Sequence, residues 1–181
     1  MNIETVHYLN VFLGLGAIIL QIFSVLALIM LFFGPKKDVF LDYIHKHFLP
    51  LGFAISLSAA LFSLVYSEII KFAPCYLCWW ARVFMFPQAF LFGVALWNKD
   101  RKVINYSALL LFVGFLVSAY HNLGYYFAES SSLPCDASGI SCYQHLVSEF
   151  GGYISIPMLS LTSLIAMITL VAVAHFYKRD N

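Results

Sequence analysis

The chain has 181 residues, of which 62% are apolar or aromatic and only 10% are charged, with a formal net charge of +1. A soluble domain carries roughly 25% charged residues, so the composition excludes an ordinary water-soluble globule. No basic stripe appears anywhere, which leaves a nucleic-acid partner without an electrostatic footing.

Crossing the hydrocarbon core of a bilayer takes about 20 apolar residues at helical rise. Five stretches qualify: Tyr8–Phe33, Phe48–Ile70, Trp79–Trp97, Ile104–Phe127 and Tyr153–Tyr177. Helices apolar on every side are not tolerated in water. The first stretch has nothing basic before it and is longer than the apolar region of a signal peptide, so it is expected to be a retained helix. The expected fold is therefore an all-α membrane protein, one integral domain over residues 1–181. Small residues at helical spacing in the second stretch (Ser56, Ser58, Ala59, Ala60, Ser63) predict a helix-packing face, and Gly14 and Gly16 suit the same use in the first.

Charge gives the orientation. Lys36, Lys37, Lys46, Lys99, Arg101, Lys102, Lys178 and Arg179, eight of the ten basic residues, fall on one side of a five-span chain. Positive loops stay cytoplasmic, which predicts an external N-terminus and an internal C-terminus. His45, Lys46 and His47 are then expected in a solvated cytoplasmic connection. The opposite side receives the short connection around Lys71–Cys78 and an outer loop over residues 128–152.

All four cysteines lie on that outer side. Cys75 and Cys78 form a C-x-x-C just after Pro74, and Cys135 and Cys142 sit in the outer loop. Disulfides form and persist in such compartments. Three readings compete. Structural staples suit Cys135 and Cys142, but a bridge within C-x-x-C closes almost no chain and removes little unfolded-state entropy. A four-sulfur zinc site accepts the first pair but not the wide spacing of the second. Two exchanging redox pairs suit all four positions, and no metal is expected.

Pro74 can open a helix, because its missing N–H would be an orphan there anyway. Cysteines in the first turn then meet unsatisfied N–H groups and the positive end of the helix dipole, which favour a thiolate. Arg82 follows Cys78 by four residues and so shares its helical face. It is either a headgroup anchor or a cation serving a thiolate or an anionic cofactor. Trp79 and Trp80 fit an interfacial aromatic belt or the walls of a flat pocket. Glu68 reads as an interfacial carboxylate.

The string Cys75-Tyr-Leu-Cys-Trp-Trp-Ala-Arg82 closely resembles the signature of the DsbB/BdbC family of membrane thiol oxidoreductases. Tyr66-Ser-Glu-Ile69, Tyr120-His121 and Ile154-Ser-Ile-Pro157 agree with it, and the resemblance runs over some two thirds of the chain, from about Phe48 onward. It implies that residues 48–177 form the family's four-helix bundle, with the span over 8–33 an extra N-terminal helix. It also implies a bacterial cytoplasmic (inner) membrane location, with the cysteines facing the periplasm or cell exterior. The close spacing of the second pair places the chain nearer the BdbC-like branch.

The implied activity is reoxidation of a soluble thioredoxin-like, DsbA-like disulfide donor, with electrons passing to a membrane quinone (ubiquinone or menaquinone). Carried onto this chain, Cys135 and Cys142 meet the donor, with Cys135 as the site of the mixed disulfide, and exchange then reduces Cys75 and Cys78. Cys78 faces the quinone, assisted by Arg82, with His121 nearby. Without the resemblance, His121 reads equally well as an interfacial histidine bonded to a helix carbonyl. A non-catalytic membrane subunit whose outer loops are stapled by disulfides is the alternative from another class. The absence of any cytoplasmic-side cysteine argues against a relay running outward from the cytoplasm.

Overall fold

A computed structural model of the protein describes residues 3–34, 38–127, 142, 147 and 149–177. Five helices are long and apolar enough to cross a membrane: α1 (Ile3–Phe33), α2 (Val39–Leu64), α3 (Tyr76–Asn98), α4 (Val103–Phe127) and α5 (Ile156–Phe176). No strand pairs with another among the described residues beyond one isolated bridge, Glu149 to Ile154. Large apolar side chains such as Phe33, Phe90 and Trp97 point outward, as expected of a surface solvated by lipid tails rather than water.

Helices α2, α3, α4 and α5 close a four-membered ring in which each packs on the next, while α3 barely touches α5 across it. A buried cluster including Phe48, Phe92, Leu111, Leu164 and Met167 fills the interior. Gly52 permits the close approach of α2 to α3, since a Cβ there would lie 2.4 Å from the buried Phe92 ring. The α3–α4 seam carries a buried polar pair, with the Ser107 hydroxyl donating to Gln88 Oε1 at 2.5 Å.

Helix α2 begins well before the predicted Phe48. Asp38 caps it, its carboxylate accepting the Phe40 N–H at 2.7 Å. Within it, His47 leaves helical geometry (φ −106°, ψ 17°) three residues before Pro50. Proline removes one helical hydrogen bond and crowds the carbonyl four residues back, which accounts for a bend rather than a break. The stretch expected as a solvated connection is thus helical, with Leu41 and Ile44 fully buried. Arg101 lies over the Phe48 ring, 4.8 Å from its centroid, and donates to the His45 carbonyl at 3.2 Å.

Helix α1 also starts earlier than predicted, and it packs mainly on α5. Asn10, Gly14, Ala17, Gln21, Ser24 and Ala27 recur at spacings of four and three, the seam of a packed helix pair; all but Gln21 are buried. Gly14 meets the Phe150 ring, as predicted for a packing glycine, whereas a Cβ on Gly16 would touch nothing within 4 Å.

Replacing Gly52 with alanine is expected to lower the thermal midpoint in detergent, overpacking of this kind costing about 1–3 kcal/mol. An unchanged midpoint would mean that the α2–α3 approach does not depend on the missing Cβ.

Candidate functional site

The last turn of α2 widens into a π-helical turn over Val65–Ile69, with the Ile70 N–H bonding the Val65 carbonyl at 3.0 Å. Such turns are frequent at functional sites. Lys71 follows in the left-handed region (φ 68°) and reverses the chain toward Pro74. Helix α3 starts at Tyr76, two residues later than Pro74 alone suggests. The cap is Cys75 itself (φ −71°, ψ 170°), whose Sγ accepts the Cys78 N–H at 3.3 Å. Pro74 therefore precedes the cap instead of opening the helix.

Cys75 and Cys78 are both free, with their sulfurs 2.9 Å apart. Cys75 is buried and Cys78 partly so. The Cys75 thiol is held well below its ordinary value of 9, chiefly by the hydrogen bond from the Cys78 thiol. The His121 ring and the Cys78 N–H also lower it, and burial opposes them. One sulfur thus collects the donors of a helix start, as expected of a reactive thiolate.

His121, on α4, is buried, and its Nε2 lies 2.9 Å from the Cys142 carbonyl and 3.9 Å from Cys75 Sγ. A carbonyl can only accept, so Nε2 carries the proton. The carbonyl that His121 bonds lies in the outer loop rather than in a helix, and the ring borders the cavity beside Cys75. Cys142 is disulfide-bonded and buried. Cys135 lies outside the described residues, as does most of the outer loop expected over 128–152.

Cys75, Cys78 and His121 bring three donor atoms within 4.8 Å of one another. The Cys142 sulfur is committed to a disulfide in this state and is not a free thiolate ligand. His121 Nε2 has also given its lone pair to a proton.

Arg82 does not snorkel outward. Its Nε donates to Ser63 Oγ and its Nη2 to the Ser63 carbonyl, each at 2.9 Å, and its guanidinium lies 5.3 Å from the Trp79 ring centroid. A cavity of about 390 Å³ opens beside it, lined among others by Cys75, Cys78, Arg82, His121 and Phe86. Ser58, Ala59 and Ser63 line it too, so part of the predicted packing face borders a void. Ser56 alone of the serines there is fully buried. Trp79 and Trp80 are absent from the lining and half exposed, which favours the belt over the pocket wall.

The family model described as "Disulfide bond formation protein DsbB" matches residues 45–176. The chain belongs to the DsbB family. Among DsbB-family relatives, it is 33% identical over 138 residues to "Probable disulfide formation protein C 2" of Bacillus anthracis, covering 76% of this chain and 97% of that one. It is 33% identical over 133 residues to "Disulfide bond formation protein C" of Bacillus subtilis (strain 168), covering 74% and 96%. It is 36% identical over 126 residues to "Probable disulfide formation protein C 1" of Bacillus cereus (strain ATCC 10987), covering 70% and 87%. No solved structure matches the chain. Membership of the DsbB family makes this a disulfide-formation protein of multi-pass architecture, with disulfide oxidoreductase activity the family's chemistry. The matched region starts within α2 and leaves α1 outside it.

The lowered Cys75 value has a sign that can be tested. A depressed thiol stays ionised as pH falls and is protonated only below the lowered value. In the reduced protein, alkylation of Cys75 followed by mass spectrometry should stay fast well below pH 9. Cys78→Ala removes the largest lowering influence, so the step should move to higher pH; an unmoved step would contradict the assignment.

Proposed function

We propose that this protein is a quinone-linked thiol oxidase that reoxidises a soluble thioredoxin-like disulfide donor on the outer side of the bacterial cytoplasmic membrane. The observation that carries the reading is the free Cys75–Cys78 pair at the start of α3, bordering an apolar cavity. Its neighbour across His121 is the disulfide-bonded Cys142. A structural staple would keep the first pair closed and would need neither a cavity nor a half-buried arginine beside it.

In the first exchange, the donor's thiolate attacks the Cys135–Cys142 disulfide at Cys135 and releases Cys142 as a thiolate. The donor's second thiol resolves the mixed disulfide, leaving the donor oxidised and Cys135 and Cys142 reduced. These in turn attack an oxidised Cys75–Cys78 bridge, so the second pair regains its disulfide and the first becomes a dithiol. Such steps require an accessible thiolate and a good leaving sulfur. Cys75, stabilised by the helix start, is suited to leave.

A quinone held in the cavity would supply a sink for two electrons and two protons. The residues fit it. The cavity is within the usual size range of ligand pockets and largely apolar, and a guanidinium carries five N–H donors. Two of Arg82's are spent on Ser63, which fixes the head and leaves others for a ring oxygen. Cys78, one turn before Arg82 on the same helix, is the sulfur this reading assigns to that ring. His121 orients Cys142 toward Cys75 through its carbonyl bond, a positioning role.

The test is purified protein in detergent with a reduced thioredoxin-like donor and a soluble quinone, quinone loss being followed by absorbance. Donor-dependent loss is expected, and Cys78→Ser and Cys135→Ser should each abolish it. Arg82→Met should raise KM for quinone about 10- to 100-fold, the value of a hydrogen bond to a charged group being roughly 1.5–3 kcal/mol. Folded wild-type protein that leaves the quinone untouched in the presence of its own organism's donor would overturn the reading.

A further inference from the structure

Helix α1 lies outside the DsbB-family match, yet it is firmly fixed. His7 Nδ1 meets Glu149 Oε1 at 3.0 Å. The Tyr66 hydroxyl donates to Asn10 Oδ1 at 2.6 Å. Gln21 donates to Thr162 Oγ1 at 2.8 Å and accepts from the Tyr153 hydroxyl at 2.9 Å. These bonds hold α1 against α5 and the segment before it, and touch α2 only at Tyr66.

Between the Asn10–Tyr66 bond and the Phe23–Phe40 ring contact, α1 and α2 stand apart, and the redox cavity occupies the gap. Phe12, Gly16 and Leu20 line it from α1, facing Ile55, Ser58 and Phe62 of α2. A shallower depression of about 310 Å³ continues it, lined by Gly16, Leu20, Phe23, Leu51, Ile55 and Leu170. Gly16, Leu20 and Ile55 border both, so one apolar path runs from Cys78 and Arg82 along the α1–α2 crevice. From Phe12 to Phe23 it follows about 16 Å of helix. Gly16 sits at the junction, is exposed, and has room for a side chain.

We propose that the α1–α2 crevice is the binding groove for the isoprenoid tail of the quinone, and that Gly16 is the residue that keeps it open. The inference rests on the quinone reading above and adds the tail's place to it. A ligand that partitions into the bilayer must enter from the side, and the crevice is apolar and open toward the lipid-facing surface. The helix that the family match omits thus becomes the outer wall of the site, which makes it a determinant of which tailed quinones are held.

The test compares binding, by quenching of the protein's tryptophan fluorescence, of two quinones with the same ring, one with a long prenyl tail and one without. Wild-type protein is expected to bind the tailed compound at least tenfold more tightly. Gly16→Phe should remove most of that advantage while leaving tail-less binding within about twofold, which also reports an intact fold. Gly16→Leu serves as a smaller plug if the phenylalanine variant does not fold, and Gly16→Ala should bind like the wild type. Equal affinity of the wild type for both compounds would overturn the inference and leave the crevice to lipid acyl chains. A plug that weakens both equally, or neither, would also overturn it. Wild-type protein that binds neither quinone would remove the quinone reading itself, and this inference with it.

Discussion

The start of α3 is capped by a sulfur, and the chemistry of the site is organised around that bond. A helix leaves its first N–H groups without partners, and a side chain at the cap position normally supplies an oxygen acceptor. Here the acceptor is Cys75, which takes the Cys78 N–H while its own sulfur faces the Cys78 sulfur. The interaction that begins the helix therefore also lowers the cost of a thiolate. It fixes the C-x-x-C pair at the end of a spanning helix, where a water-borne protein and a membrane-borne ligand can both approach.

Two further contacts give that pair its direction. On one side, His121 holds the Cys142 carbonyl close to Cys75; on the other, Arg82 is clamped by Ser63 at the edge of the cavity. Cys142, His121 and Arg82 thus all border one cavity with the dithiol between them. An arginine inside a spanning segment is costly, of the order of 2.5–3.5 kcal/mol at mid-depth. Its two bonds to Ser63 and the adjacent Trp79 ring show how part of that cost is offset. A charge fixed at such cost beside an apolar cavity is what a ligand with polar oxygens and an apolar body requires.

Much of this was legible before any coordinates, and the reasons are local. Five apolar stretches, a proline before C-x-x-C, and an arginine one turn later all act within a few residues, where sequence spacing translates directly into geometry. Start points are less legible, because Asp38 caps α2 early and the helix only bends at His47, ahead of Pro50, where a run of His and Lys reads as a solvated loop. The Ser63–Arg82 clamp spans nineteen residues and two helices, and no spacing rule reaches that far. The packing of α1 is hard to read from its sequence because large apolar residues lie on every side of it. The seam from Asn10 to Ala27, at spacings of four and three, was the available clue, and it separates Gly14, which packs, from Gly16, which does not.

The most direct test of the account is to follow the electrons through the sulfurs. Oxidised protein, kept free of quinone and oxygen, receives one equivalent of reduced donor, and each cysteine is then assigned as free or paired by differential alkylation and mass spectrometry. The account predicts that label accumulates on Cys75 and Cys78 while Cys135 and Cys142 return to the disulfide, and that added quinone clears the label. Label confined to Cys135 and Cys142, or label on Cys75 and Cys78 that quinone fails to clear, would contradict it.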